Sequence, residues 1–283
     1  INSEKALRYA KLFDNEKLAL ISALLLAVSP WSLHLSRAAF EANLAAFFNL
    51  LAIFLFLKGI KDKGWWFIFS VISFVITFYT FNSNRVLAPI LLSVLFLIYF
   101  KDCLNKKRWV LLSIFIGFLL ILPLLPYLES RESKLRYHEV NIFSNLDVIL
   151  DSNRRIAVDG TTRLSKIIHH RYLGHLQNFL KHYFDHFSGE FLFISGDVNP
   201  RISVRSVGEL YLIELPFFLI GFYWLLRNLK DKNYLMVLLW FLLAPLPAAT
   251  ARETPHALRI VSILPTPQII SALGICQALK YFN

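Results

Sequence analysis

The densest group of ionisable residues is ARETPHALR, 251–259, where Arg252, Glu253, His256 and Arg259 crowd one short stretch. His256 and Arg259 are three apart, and Arg259 already lies inside an apolar run, where ionisable groups are expensive and tend to line cavities. A second group is SLHLSRAAFEAN, 32–43. Arg37 and Glu41 stand four apart and on a helix would share a face. They read either as an interfacial Arg snorkelling beside a Glu or as a phosphate site, because a guanidinium fork matches phosphate oxygens in bidentate fashion. Arg85, in FNSNRVLAP, is a lone cation opening another apolar block and reads in the same two ways.

The stretch RYLGHLQNFLKHYFDHF, 171–187, repeats large apolar residues at helical spacing and reads as an amphipathic helix on the membrane surface or capping a bundle. His182 and His186, four apart, could hold zinc together with Asp185 or His175. There is no HExxH pattern, so a divalent metal is unsupported and no cofactor is assigned. In SGEFLFISGDVNPRISVRSVGELY, 188–211, Asp197 and Glu190 are the carboxylates set to face a cavity. No Walker loop, GxGxxG, GxSxG or CxxC pattern is present, which removes the chemistries those motifs report.

The elements that must position these groups are apolar blocks. Of 283 residues, 56% are hydrophobic and 17% charged, against ~25% charged in soluble domains, which excludes a soluble enzyme and a disordered chain. Apolar blocks fall at 18–34, 38–57, 65–81, 86–100, 109–128, 211–226, 234–249 and 257–279. The fold expected is therefore an all-α integral membrane protein, a multi-span helical bundle of about eight spans. The turns 58–64, 101–108 and 227–233 carry ten Lys and Arg residues, whereas those around 35–37, 82–85 and 250–256 carry Arg37, Arg85 and Arg252 alone. This alternation places the first set in the cytoplasm, with Lys5, Arg8, Lys11 and Lys17 at one end of the chain and Lys280 at the other. The net charge of +11 thus reads as topology and not as a nucleic-acid footprint.

The organisation expected is 1–128 as a first membrane section, 129–210 as one long external loop and 211–283 as a second membrane section. The loop balances eleven basic residues against ten acidic ones. All eight His fall on the external side, so the chemistry is expected there. Cys103 and Cys276 fall on the cytoplasmic side and read as reduced thiols. The sequence opens on Ile1 and its single Met is Met236, so it is expected to continue a longer protein.

ALLLAVSPWSLHLSRAAFEANLA, FYTFNSNRVLAPILL, HYFDHFSGEFLFISGDVNPR and ETPHALRIVSILP together resemble, in order, bacterial membrane glycosyltransferases related to the protein O-mannosyltransferases. The aminoarabinose transferase of lipid A modification is a more distant relative. The resemblance implies a GT-C bundle in the plasma membrane whose outward cavity takes a sugar on a polyprenyl phosphate and passes it, with inversion, to a hydroxyl on a protein, lipid or glycan. It implies an Asp base in the first external loop. Residues 12–18, LFDNEKL, resemble the turn after the family's second span, so that loop is expected to lie before this sequence and the base is unassigned. Carried over, Arg37, Arg85, His256 and Arg259 would contact carrier phosphate, and Glu41, Asp197 and Glu253 would orient sugar or acceptor. Two rivals are an O-antigen ligase or polymerase and a transporter or flippase; a non-catalytic scaffold would leave the external His and Arg clusters unexplained.

Overall fold

The computed structural model describes residues 15–282. Among them there is no β-strand, only an isolated bridge between Asn141 and Ala251. Lys5, Arg8, Lys11 and the start of the 12–18 turn lie outside the described residues.

Helix α1 (Glu16–Val28) begins where the Asn15 side chain accepts from Leu18 N. It stops at Ser29 because Pro30 has no N–H and its ring would clash with the preceding turn. α2 (Pro30–Arg37) leaves at 52° to it. α3 (Glu41–Lys61), α4 (Trp66–Thr80) and α5 (Asn84–Ile98) follow, then short α6 (Phe100–Asn105) and α7 (Lys107–Ile121), which runs through a 3₁₀ turn into α8 (Leu125–Glu129). The long segment that looked like a loop is mostly helical: α9 (Arg131–Val140), α10 (Leu146–Val158), α11 (Arg163–Ile168) and α12 (Arg171–Asp185). The chain then returns through α13 (Leu215–Arg227), α14 (Lys232–Leu243), α15 (Leu246–Ala249) and α16 (Thr266–Phe282).

Every apolar block contains helix, but length does not confirm eight spans. Glu41–Lys61, Lys107–Glu129, Lys232–Ala249 and Val261–Lys280 are long and apolar enough to cross a membrane, and the bent pair α1–α2 would make five. α4 and α5 have 15 residues each, about 22 Å at 1.5 Å per residue, against a ~30 Å hydrocarbon core. Two block boundaries also move. Block 38–57 begins in a joint, Ala38–Phe40, where Ala39 takes a left-handed φ of 51°, and block 257–279 becomes helical in the α sense only at Thr266.

Packing is tightest between α13 and α16. A Cβ at Gly221 would fall on Ile270 O, and one at Gly274 on Phe217 O, so the two backbones touch, as small residues permit in membrane bundles. α3 and α4 are joined by Ser70 Oγ donating to Ala52 O at 2.7 Å. α7 is peripheral: Leu111, Ile114, Phe115 and Phe118 are more than half exposed, as befits a lipid-facing surface.

The two ends of the bundle differ. At one, the lysine-bearing turns are tied together: Lys106 Nζ donates to Gly59 O (2.8 Å), Ile60 O (2.9 Å) and Asp62 O (2.5 Å). Lys232 pairs with Asp102 at 2.7 Å, and Tyr99 Oη donates to Asn233 Oδ1 at 2.8 Å. Lys17 and Lys280 both act on Cys276, which puts the start of α1 and the end of α16 together. At the other end, α12 caps the bundle, with Tyr183 Oη donating to Leu242 O at 2.8 Å and Phe187 against Phe241. The alternation of turns read from charge is thus also an alternation of ends.

Candidate functional site

The 251–259 turn is built into the loop end from three directions. Arg252 N donates to Val140 O, and its guanidinium reaches His138 O and Asn141 O, so Arg252 is a brace to α9. From α12, His182 Nδ1 meets Ala251 O at 2.8 Å, and Thr254 Oγ1 donates to Asp185 Oδ2 at 2.9 Å. From α2, the buried Trp31 donates Nε1–H to Ala257 O at 3.1 Å.

Asp197 fixes the turn from a fourth side. It is 2% exposed, and each carboxylate oxygen accepts a backbone N–H: Asn199 on Oδ1 and Ala257 on Oδ2, both at 2.8 Å. Its own N–H donates to Glu209 Oε1 at 3.2 Å. What this carboxylate orients in the structure is the backbone of the turn. Burial raises its pKa, opposed by the two N–H donors. The fold around it needs Gly196, whose φ is +70° and where a Cβ would run into Ser203 Oγ.

Arg259 lies in the turn, not within the last helix. Its guanidinium donates to Glu253 O at 3.2 Å and stands 3.7 Å from Glu253 Oε2, with 21% of the side chain exposed against 76% for Glu253. A contact of 3.7 Å is an ion pair without a hydrogen bond. One hydrogen bond serves a five-donor fork, which leaves N–H groups for an anion. Burial depresses its pKa, with Glu253 and Asp197 pulling the other way. Arginine nonetheless stays charged.

His256 and His186 lie in the electrostatic reach of each other and of Arg259. Burial, then Arg259, pushes His256 down to about 3, and burial pushes His186 down to about 4. Both rings are therefore neutral at pH 7, so His256 brings hydrogen bonding and not charge to a phosphate.

Arg85 is half-buried beside the same wall. Its Nε donates to Phe78 O at 3.0 Å and its guanidinium stacks 5.1 Å from the Tyr127 ring. Its neighbour Asn84 accepts from Ser262 Oγ at 2.9 Å, which ties the start of α5 to the segment just after Arg259. Arg37 and Glu41 are not so joined. The left-handed Ala39 puts them on separate helices, both exposed, and the helical i,i+4 pairing expected of them does not form.

Among the described residues no three of His, Cys, Asp or Glu converge on a metal position. His182 and His186 turn their Nδ1 atoms to carbonyls, and Asp185 is taken by Thr254. Sequence reasoning missed Glu209. It is 2% exposed, and burial lifts its pKa to about 8. An acid between Gly208 and an apolar run was the available signal.

The described residues form a helical bundle with helices long and apolar enough to cross a membrane, and with a mostly buried cation and two neutral imidazoles clustered at one end. Residues 7–127 match the family model described as dolichyl-phosphate-mannose-protein mannosyltransferase. This supports the glycosyltransferase superfamily read from the sequence, and with it glycosyltransferase activity. The matched stretch carries Arg37, Glu41 and Arg85 and stops before Asp197, Glu253, His256 and Arg259. No curated protein matches the chain, and no solved structure does.

Proposed function

We propose that the protein transfers a sugar from a polyprenyl-phosphate carrier to an acceptor hydroxyl of a protein, lipid or glycan, with inversion, at the loop end of the bundle. In this reading the loop end faces outward from the plasma membrane, with the lysine-bearing end in the cytoplasm, as the positive-inside rule requires. Residues 129–210 form the outward section between two membrane sections. Arg259 holds the carrier phosphate, Arg85 and Arg37 add cationic contacts along its approach, and His256 hydrogen-bonds to it as a neutral ring. Glu253 and Glu41 orient sugar or acceptor, and Asp197 acts by fixing the turn that carries Arg259. Cations set in advance where charge develops on the leaving phosphate are the main catalytic device of such a site. No described residue is assigned as the base.

The observation that carries this reading is the Arg259 guanidinium: mostly buried, paired only loosely at 3.7 Å, and one-fifth exposed. Arg259→Ala should weaken binding of dolichyl phosphate about 10- to 100-fold, from the ~1.5–3 kcal/mol of a charge-assisted bond, while the protein still inserts and unfolds as the parent does. Unchanged carrier affinity would remove Arg259 from the phosphate site.

A further inference from the structure

His186 forms the C-terminal cap of α12 and is wholly buried. Its Nδ1 lies 2.7 Å from His182 O. A carbonyl can only accept, so Nδ1 bears the ring proton and Nε2 presents a bare lone pair in the neutral ring. Nε2 is buried and meets no hydrogen-bond partner. Unpaired buried acceptors are uncommon enough that each calls for a cause, a ligand among them.

The surroundings narrow what that ligand is. Nδ1 turns back to its own helix, so Nε2 points away from it, on the ring's far side. The Phe191 ring stands edge-on, 6.2 Å away at 87°, and fixes the imidazole plane. The 251–259 turn is pinned to the same helix end by His182 and Asp185; Asp185 and Arg259 act on the ring with opposite signs, and the ring in turn acts on His256. With a carboxylate and a guanidinium opposed at the ring, neither sign of charge is selected, and the missing donor is a neutral one. Beside a phosphate held by Arg259, a phospho-sugar offers such donors as hydroxyls.

We propose that His186 Nε2 accepts a hydrogen bond from a hydroxyl of the donor's sugar, reached from the Arg259 side. This deepens the function proposed above and rests on it. The contact makes His186 a specificity residue, because a site built to pair a hydroxyl rejects ligands that lack it.

The test measures dissociation constants of dolichyl-phosphate-mannose and of dolichyl phosphate for the full chain in lipid nanodiscs, in the parent and two variants. His186→Phe keeps the ring volume against Phe191 and removes both nitrogens. His186→Asn keeps an N–H for His182 O and supplies no acceptor where Nε2 was, and it stands in should the Phe variant not fold. The parent should bind the mannose-bearing carrier more tightly than the bare one. Both variants should bind bare carrier like the parent and lose about tenfold on the mannose-bearing one, the scale of one hydrogen bond. The ¹⁵N resonance of His186 Nε2 should move on adding the loaded carrier and not the bare one, a response that a ring satisfied by internal water would not give. Variants that keep the parent's ratio of the two affinities, or an unmoved resonance, overturn the sugar contact. A parent that binds both carriers equally overturns it while sparing the function proposed above; a parent that binds neither overturns both.

Discussion

Asp197→Ala should loosen the 251–259 turn by a calculable amount. The wild-type carboxylate takes the N–H groups of Asn199 and Ala257 at 2.8 Å each. Truncation leaves two buried donors without partners, at about 1–3 kcal/mol each, or about 2–6 kcal/mol together. Part of this is offset because the carboxylate no longer has to be held in a buried place, the cause of its raised pKa. The net cost is then about 2 kcal/mol, which corresponds to ~30-fold faster local opening. Hydrogen–deuterium exchange of the protein in nanodiscs reads this at the Ala257 and Asn199 amides, with the amides of α13 and α16 as internal reference. Asp197→Asn has one carbonyl for two donors and should show about half the free-energy effect. If Ala257 and Asn199 exchange at the wild-type rate in the Ala variant, the carboxylate is not what holds the turn.

Gly221→Ala puts a methyl on Ile270 O, so α13 and α16 must part; a loss above about 3 kcal/mol should appear as a large drop in melting temperature in detergent, while Gly189→Ala, with nothing within 4 Å of the new Cβ, leaves it unchanged. Burial raises Glu209 from 4.5 to about 8, so the folded protein keeps a proton that the unfolded chain releases, and this contribution is full below pH 4.5 and lost as pH rises through 8. His186 and His256 are pushed down to about 4 and 3, so stability from them falls as pH drops below 6.5 and is level above it; between pH 6.5 and 8 the Glu209 slope stands apart, and Glu209→Gln should flatten it in melting curves. Trp31→Phe removes the bond to Ala257 O and should cost about 1 kcal/mol, with faster exchange confined to the 251–259 turn; an unaltered turn would show that Trp31 acts only by packing.

What the sequence revealed was whatever is encoded locally. Hydropathy located the helical blocks because each block is its own statistic, and the lysine turns announced their common end because charge in short connections is countable. Arg259 stood out by crowding with Glu253 and His256. Geometry set by backbone turns was hidden. Arg37 and Glu41 have helical spacing, yet Ala39 adopts a left-handed φ and separates them. One break was hidden as well, since Pro30 cuts a helix inside the 18–34 block, where hydropathy stays high. Asp197 could be named but not understood, because its partner Ala257 lies 60 residues away. His186 looked like half of a metal pair, and only the tertiary fold shows one nitrogen spent on its own helix and the other unclaimed.

The three carbonyl bonds of Lys106, the Lys232–Asp102 pair and the Tyr99–Asn233 bond have a mechanical meaning. A protein that carries solute across a bilayer has to unfasten each of its two faces in turn. Here one face is sewn across three connections, by the carbonyl bonds of Lys106, by a neutral hydrogen bond, and by an exposed ion pair worth about 0–1 kcal/mol, and opening it would mean giving up all of them together. The opposite face is fastened as well, but onto one turn: α2 gives 251–259 one bond, α9 and its cap give three through Arg252, α12 gives two and Asp197 one. The two fastenings differ in kind: the lysine-bearing end joins turn to turn, whereas the other end gathers several elements onto 251–259, so one substitution in that turn loosens α2, α9 and α12 together.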